Sequence, residues 1–111
     1  MVRSRGLREA RSAVSAPVTF LIEARSDIDQ AYQRYEGYRE GLGQRFLDKL
    51  EDRMKHVCDF PEAYAVIDYG VRAAPLKKFP YIVYYRYENE HIFVIGVIYC
   101  YRDSHAWKRR L

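Results

Sequence analysis

No stretch of this chain is apolar for long enough to cross a bilayer. The longest apolar run, Ile92 to Tyr101, is ten residues with Gly96 inside it, about half of what a membrane helix needs. Cysteine is equally scarce. Cys58 and Cys100 are the whole supply, too few for a disulfide framework, although one bond between them stays open; the expectation is two buried free thiols in a reducing cytosol. Metal-ligand spacing is missing too. His56 and Cys58 sit two apart on an expected helix, where side chains diverge by about 200°, and His91, Cys100 and His105 form no closely spaced pair. His105 beside Asp103 and Ser104 is no triad, because adjacent residues cannot line up as nucleophile, base and orienter. There is no glycine-rich phosphate loop, no repeat and no low-complexity tract. Arginines near the N-terminus interrupt the apolar core that a secretory signal requires, although Ala13-Val14-Ser15-Ala16 mimics a cleavage site. The expectation is a cytoplasmic protein with no metal, no cofactor and no membrane partner.

Tyrosine is what the chain has in excess, 11 of 111 residues. It combines a large contact area with one hydroxyl, which suits half-wet sheet faces and interfaces. The net charge is +4 but unevenly placed. Residues 1–16 carry Arg3, Arg5, Arg8 and Arg11 against Glu9, whereas residues 17–111 hold 15 basic and 14 acidic groups. The basic character therefore belongs mostly to the N-terminus, and it argues little for nucleic-acid binding by the remainder. A local basic patch stays open at Lys77, Lys78, Arg86, Arg102 and Lys108-Arg109-Arg110. The length allows one core. Residues 1–16 read as a flexible basic arm and residues 17–111 as a single domain.

Pro17 opens a first strand, Val18 to Ile22. Ser26 with Asp29 forms a helix-starting pair, after which Ile28, Ala31, Tyr32 and Tyr35 fall on one helical stripe. Gly41 reads as a C-terminal cap. Phe46, Leu47, Leu50, Met54 and Val57 mark a second helix, which Phe60-Pro61 ends. So short a link makes the two helices an antiparallel hairpin. Strands follow: Ala65 to Tyr69, Val71 to Phe79 with Pro75 demoting it to an edge or a bulge, Tyr81 to Tyr87, and His91 to Tyr99 across a hairpin at Glu88-Asn89-Glu90. Ile92 to Ile98 is apolar on both faces and reads as a covered central strand. The order β-α-α-β-β-β predicts a two-layer α+β fold, with a helical hairpin on a mostly antiparallel sheet of four to five strands.

Polar chemistry gathers at one end of that sheet. Tyr99 and Tyr101 share a face of the last strand if it continues, and Arg102 follows. Arg72, Lys77 and Arg86 come from strands expected nearby. Metal-free RNA cleavage needs a base for the 2′-hydroxyl, cations on the phosphate and an acid for the leaving oxygen. Tyr101 fits the acid and Arg102 the phosphate clamp. The plainer alternative has Arg102 paired with Asp103 or packed on Trp107, with Tyr101 on the rim of the core.

The order of Gly41 to Glu51 (G-L-G-Q-R-F-L-D-K-L-E), Phe60-Pro61, Tyr64, Val71-Arg72, Phe79-Pro80-Tyr81 and Arg102-Asp103 with Trp107 resembles the RelE/ParE superfamily of type II toxin–antitoxin toxins. The resemblance covers roughly residues 18 to 108. It divides at the functional positions. The ribosome-dependent nuclease branch carries an arginine just before the apolar core of its penultimate strand; here that core is Ile82-Val83-Tyr84, and Tyr81 precedes it. That branch also places basic or histidine groups near the last strand, where this chain reads Tyr99-Cys100-Tyr101-Arg102. The F-P-Y and R-D-x-x-x-W patterns lie closer to the ParE-like and plasmid-stabilisation members.

The resemblance thus implies a toxin that inhibits a host target, DNA gyrase, by binding, with a cognate antitoxin as partner. Under that reading Arg72, Lys77, Arg86, Trp107 and Lys108 are target- or phosphate-binding candidates. The alternative is a RelE-like, ribosome-dependent mRNA endonuclease, with Tyr101 and Arg102 catalytic. A third reading is a non-toxic remnant that only binds its antitoxin.

Overall fold

The structure, a computed structural model, describes residues 15–103 and 105–111. Most of the expected arm, residues 1–14, lies outside them. Its last two residues are fastened: the Ala16 amide donates to the Cys58 carbonyl at 3.0 Å and the Ser15 hydroxyl donates to Asp59 at 2.5 Å.

The elements run β1 (Val18–Phe20), α1 (Ile22–Tyr38), α2 (Leu42–Asp59), β2 (Val66–Asp68), β3 (Val71–Pro75), β4 (Tyr81–Glu88), β5 (His91–Tyr99) and a short 3-10 helix, Ala106–Arg110. The strands form one sheet in the order β1-β5-β4-β3-β2. β1 runs parallel to β5, and the other neighbours are antiparallel. This is the expected α+β architecture, a helical hairpin on one face of a mixed five-stranded sheet.

Both glycine and serine signals act differently from their sequence reading. Helix α1 starts at Ile22 with Leu21 as its N-cap, one turn before Ser26, because the Leu21 amide is already held by the Val94 carbonyl at 3.0 Å. Ser26 lies within the helix and its hydroxyl accepts from Gln30. Gly41 does not end α1 but begins α2, as its N-cap, at φ 88°. The opening amides of α2 are capped from the other helix: Glu36 accepts from Gly41 N–H at 3.0 Å and from Gly43 N–H at 2.9 Å. A carboxylate there satisfies orphan donors and opposes the positive end of the dipole.

The α2 stripe packs as its spacing dictates. Phe46, Leu50, Met54 and Val57 bury against Val83, Tyr85, Ile92, Val94 and Val97 of the sheet. On the opposite face Val71, Tyr84, Ile95 and Ile98 bury beneath Ala106 and Trp107. A bulge allows β5 to serve both faces. Tyr84 pairs with Gly96 and Tyr85 with Val94, so Ile95 is left unpaired, and the alternation changes phase there. Pro75 ends β3, which lies inside the sheet between β4 and β2 rather than at the edge; the edge on that side is β2, exposed along its whole length. The β4–β5 turn is held by Asn89 and Glu90 at φ 53° and 61°, the left-handed pair that matches strand twist.

Candidate functional site at the end of the sheet

The register brings Tyr81 opposite Tyr99 at one end of β4 and β5. One face of α1 passes over that end, because Asp27, Gln30, Ala31 and Arg34 recur at helical spacing. The turn after β5 closes the group, with the Arg102 amide donating to the Tyr99 carbonyl at 3.0 Å. Together these residues line a cleft of about 280 Å³, floored by Ala31, Val97 and Ile98.

Its polar parts have distinct settings. Arg34 reaches the Tyr81 hydroxyl at 3.4 Å. The Tyr81 and Tyr99 rings lie 5.6 Å apart, and Tyr101 meets Tyr99 edge-on at 5.3 Å. Burial pushes the Tyr81 hydroxyl pKa up, with Arg34 acting in the opposite direction; burial, then Tyr81 and Tyr99, push up Tyr35 behind it. Asp27 is occupied by a forked pair with Arg110, at 2.6 and 3.0 Å, and accepts the Val97 amide at 2.9 Å. Two guanidinium groups, two phenols and an apolar floor suit an anionic group carried on an apolar neighbour.

The residues singled out from the sequence are dispersed. Tyr101 and Arg102 lie in the turn beyond β5 and are exposed, Tyr101 at 79%. Among the described residues Arg102 forms no ion pair: Asp103 is taken by Arg109 at 2.5 Å and by the His105 amide. Arg72 and Arg86 stand toward the opposite end of the sheet, beside Tyr85 and Val71 respectively. Arg72 is structural, donating to the carbonyls of Tyr64 at 2.7 Å and Glu62 at 3.4 Å. Arg86 pairs with Glu88 at 3.2 Å. Lys108 pairs with Asp68 at 2.9 Å and lies over the Tyr69 ring.

Trp107 is no surface anchor. It is 2% exposed and stacks on Tyr84 at 5.8 Å, so it belongs to the back-face core. Lys77 is exposed but borders a different concavity, against α2. Nor are both thiols buried: Cys58 is half-buried and Cys100 exposed. Gln30 carries no expectation from the sequence and Arg34 only a secondary one, on the helical hairpin; their one legible signal is the i, i+3 and i+4 relation to Asp27 and Ala31.

Among the described residues no His, Cys, Asp and Glu side chains group as a metal site, and no helix is long and apolar enough to cross a membrane. The family described as ParE toxin of type II toxin-antitoxin system, parDE, matches residues 18–103. The chain belongs to that family, and is a type II toxin by class. It is similar in fold to a solved structure described as the chromosomal ParDE TA system from P. aeruginosa, at 17% identity and a TM-score of 0.56, covering 75% of this chain and 94% of that one. No curated protein matches it.

Proposed function

We propose that this chain is a toxin that arrests its host by gripping a protein target, DNA gyrase, and that a cognate antitoxin neutralises it. The observation that carries the reading is the make-up of the sheet-end cleft. It offers Arg34 and Arg102 for binding, while its one carboxylate, Asp27, is already held by Arg110. RNA cleavage asks for groups that change protonation near neutrality. The Tyr81 phenol is moved away from that range by burial, and Tyr81 stands where the nuclease branch carries arginine. Arg102 is then the principal target contact, with Tyr101 beside it and Arg34 behind.

An antitoxin partner is supported by the name of the similar P. aeruginosa structure, a ParDE system. Two features of this chain suit a folding tail. A groove of about 420 Å³ runs between α1 and α2, bordered by Ile28, Tyr32 and Leu47, and the exposed edge strand β2 presents Val66 and Ile67. Helix-in-groove and strand addition are the corresponding recognition modes. The test is twofold. Co-expression with the neighbouring small open reading frame is expected to yield a tight complex, and the purified toxin is expected to block gyrase supercoiling while leaving ribosome-bound mRNA intact. Cuts within codons, lost in Arg102→Ala, would install the endonuclease reading; normal growth and normal gyrase would install the non-toxic remnant.

A further inference from the structure

Tyrosine, the residue this chain has in excess, gathers at the sheet end. Ring-to-ring contacts run from Tyr38 to Tyr35 at 6.2 Å, Tyr35 to Tyr81 at 6.0 Å, Tyr81 to Tyr99 at 5.6 Å and Tyr99 to Tyr101 at 5.3 Å. The ladder has a fixed centre and two wet ends. Tyr35 also packs on Phe46 and Phe79, at 5.6 and 4.9 Å, and Tyr81 is buried. Tyr38 and Tyr101 are 73% and 79% exposed. Steps of this size carry the ladder over roughly 20 Å, which six extended residues cover.

The two exposed rings flank the cleft. Arg34 stands one helical turn before Tyr38, and Arg102 directly follows Tyr101; both line the concavity with Tyr81 and Tyr99. The free charge there has one sign. Asp27 lines the same concavity but is held by Arg110, and Asp103 is held by Arg109. Glu36, the next acid along α1, is occupied by the Gly41 and Gly43 amides. Among the described residues neither Arg34 nor Arg102 forms an ion pair. Arg34 touches the Tyr81 hydroxyl at 3.4 Å, the long end of a hydrogen bond.

Nucleic acid asks for open ring faces on which bases stack. Here successive rings meet at 59° to 74°, so edges pack on faces and the middle rungs are closed to a base. What remains outward is phenol beside guanidinium. Tyr and Arg in that combination are the residues enriched in protein–protein hot spots.

We propose that this surface takes an acidic, partly apolar segment of the target protein, one carboxylate entering the cleft that Arg34 and Arg102 line and flanking apolar side chains lying on Tyr38 and Tyr101. The proposal rests on the reading of this cleft as the toxin's contact with a protein target, and adds the chemistry of what that target presents. A carboxylate matches the planar guanidinium fork, and the exposed rings shield it from water on either side.

The probe is the acetylated and amidated peptide Asp-Leu-Asp-Phe-Asp, titrated into the full chain and followed by amide chemical shifts at low salt. Saturable shifts centred on Tyr38, Tyr99 and Arg102 are expected, with binding weakened about tenfold in Arg34→Ala/Arg102→Ala. Tyr38→Ser/Tyr101→Ser is expected to weaken it about fivefold and to keep its fold, checked by circular dichroism. No saturable shift, or equal affinity for Asn-Leu-Asn-Phe-Asn, overturns the proposal. So does a hexathymidylate strand that shifts the same residues at lower concentration, which would make the ligand nucleic acid. Antitoxin binding is expected to survive in the tyrosine double variant; its loss would assign the surface to the antitoxin instead. Growth arrest lost in that variant, while the parent chain leaves gyrase supercoiling normal, would keep this surface and remove gyrase as its target. Gyrase inhibited equally by parent and variant would do the reverse.

Discussion

The carboxylate of Asp27 receives both terminal nitrogens of Arg110, 83 residues away in sequence. The pair is largely desolvated, with side-chain exposures of 11% and 15%. Arg110 also donates to the carbonyl of the bulged Ile95 at 3.1 Å, and Asp27 accepts from Val97 N–H. One ion pair thus joins α1, the irregular part of β5 and the C-terminal 3-10 helix. Its hydrogen bonds with Asp27 hold the Arg110 pKa above its ordinary value. Truncating one partner strands a partly buried charge, so Arg110→Ala is expected to cost about 2–4 kcal/mol in urea unfolding. Asp27→Ala/Arg110→Ala is expected to cost less than the sum of its single changes.

Gly96 makes room for this pair. A Cβ there would stand 2.8 Å from Arg110 Nη1, 3.0 Å from Ile98 Cδ1 and 3.2 Å from Asp27 Oδ2. The guanidinium is pinned by its fork and cannot swing aside without losing a hydrogen bond. Gly96→Ala is therefore expected to lose about 1–3 kcal/mol, and a melting temperature equal to the parent's would show that the bulge relaxes freely.

Trp107 packs under the sheet rather than on a target. Trp107→Ala is expected to destabilise by about 3–5 kcal/mol, the range for a large aromatic removed from a core. Trp107→Phe keeps a ring on Tyr84 and is expected to cost less than half of that. A toxicity loss in Trp107→Phe with unchanged stability would return Trp107 to the target-contact class.

Much of this was open to reading from the sequence, and the exceptions share a cause. The α2 stripe, the Phe60-Pro61 stop and the β4–β5 hairpin rest on local periodicity and turn chemistry, so their expected places match the fold. Ser26 and Gly41 depart from their local signals because tertiary partners decide helix ends here: Val94 holds the chain at Leu21, and Glu36 caps α2 from the neighbouring helix. At the sheet end, Tyr99 and Arg102 were legible as neighbours in the chain. Arg34 enters from α1, and nothing in local sequence shows which turn of a helix will cross which strand end. Arg72 and Arg86 fall away from Arg102 because the antiparallel register sets them beside Tyr85 and Val71, at the end of the sheet opposite Tyr81.

Tyr85 gives the fold an alkaline limit. Burial pushes its phenol up to about 12, and its O–H donates to the Pro61 carbonyl at 2.7 Å. The folded value lies above the unfolded one, so this contribution is whole below about pH 10 and is lost as pH rises towards 12. Stability is expected to fall by about 2–3 kcal/mol across that window. Tyr85→Phe is expected to lose that part of the decline, at about 1 kcal/mol for the hydrogen bond at neutral pH; an unchanged alkaline profile would refute the assignment.

The two cysteines are expected to differ in reactivity. Burial, then the adjacent Asp59, raises the Cys58 thiol pKa, whereas Cys100 is exposed. Thiolate is the reacting form, so a thiol-disulfide reagent at pH 7.5 is expected to modify the native protein in one fast and one slow phase. Cys100→Ser should remove the fast phase; its survival would place the reactive thiol at Cys58.

Arg102 separates binding from folding. It is exposed, unpaired among the described residues, and lines the cleft with Arg34 and Tyr99. Arg102→Ala is expected to abolish growth arrest while moving the melting temperature by no more than about 3 °C, as for a surface change that breaks no packing. Arg102→Lys keeps the charge but loses the planar fork, so it is expected to restore only part of the toxicity. Antitoxin binding serves as the folding control, and gyrase supercoiling by the same preparations locates the loss. A fully toxic Arg102→Ala would take the contact away from the Arg102 side of the cleft and shift it to the helical hairpin around Arg34, Tyr38 and Arg39.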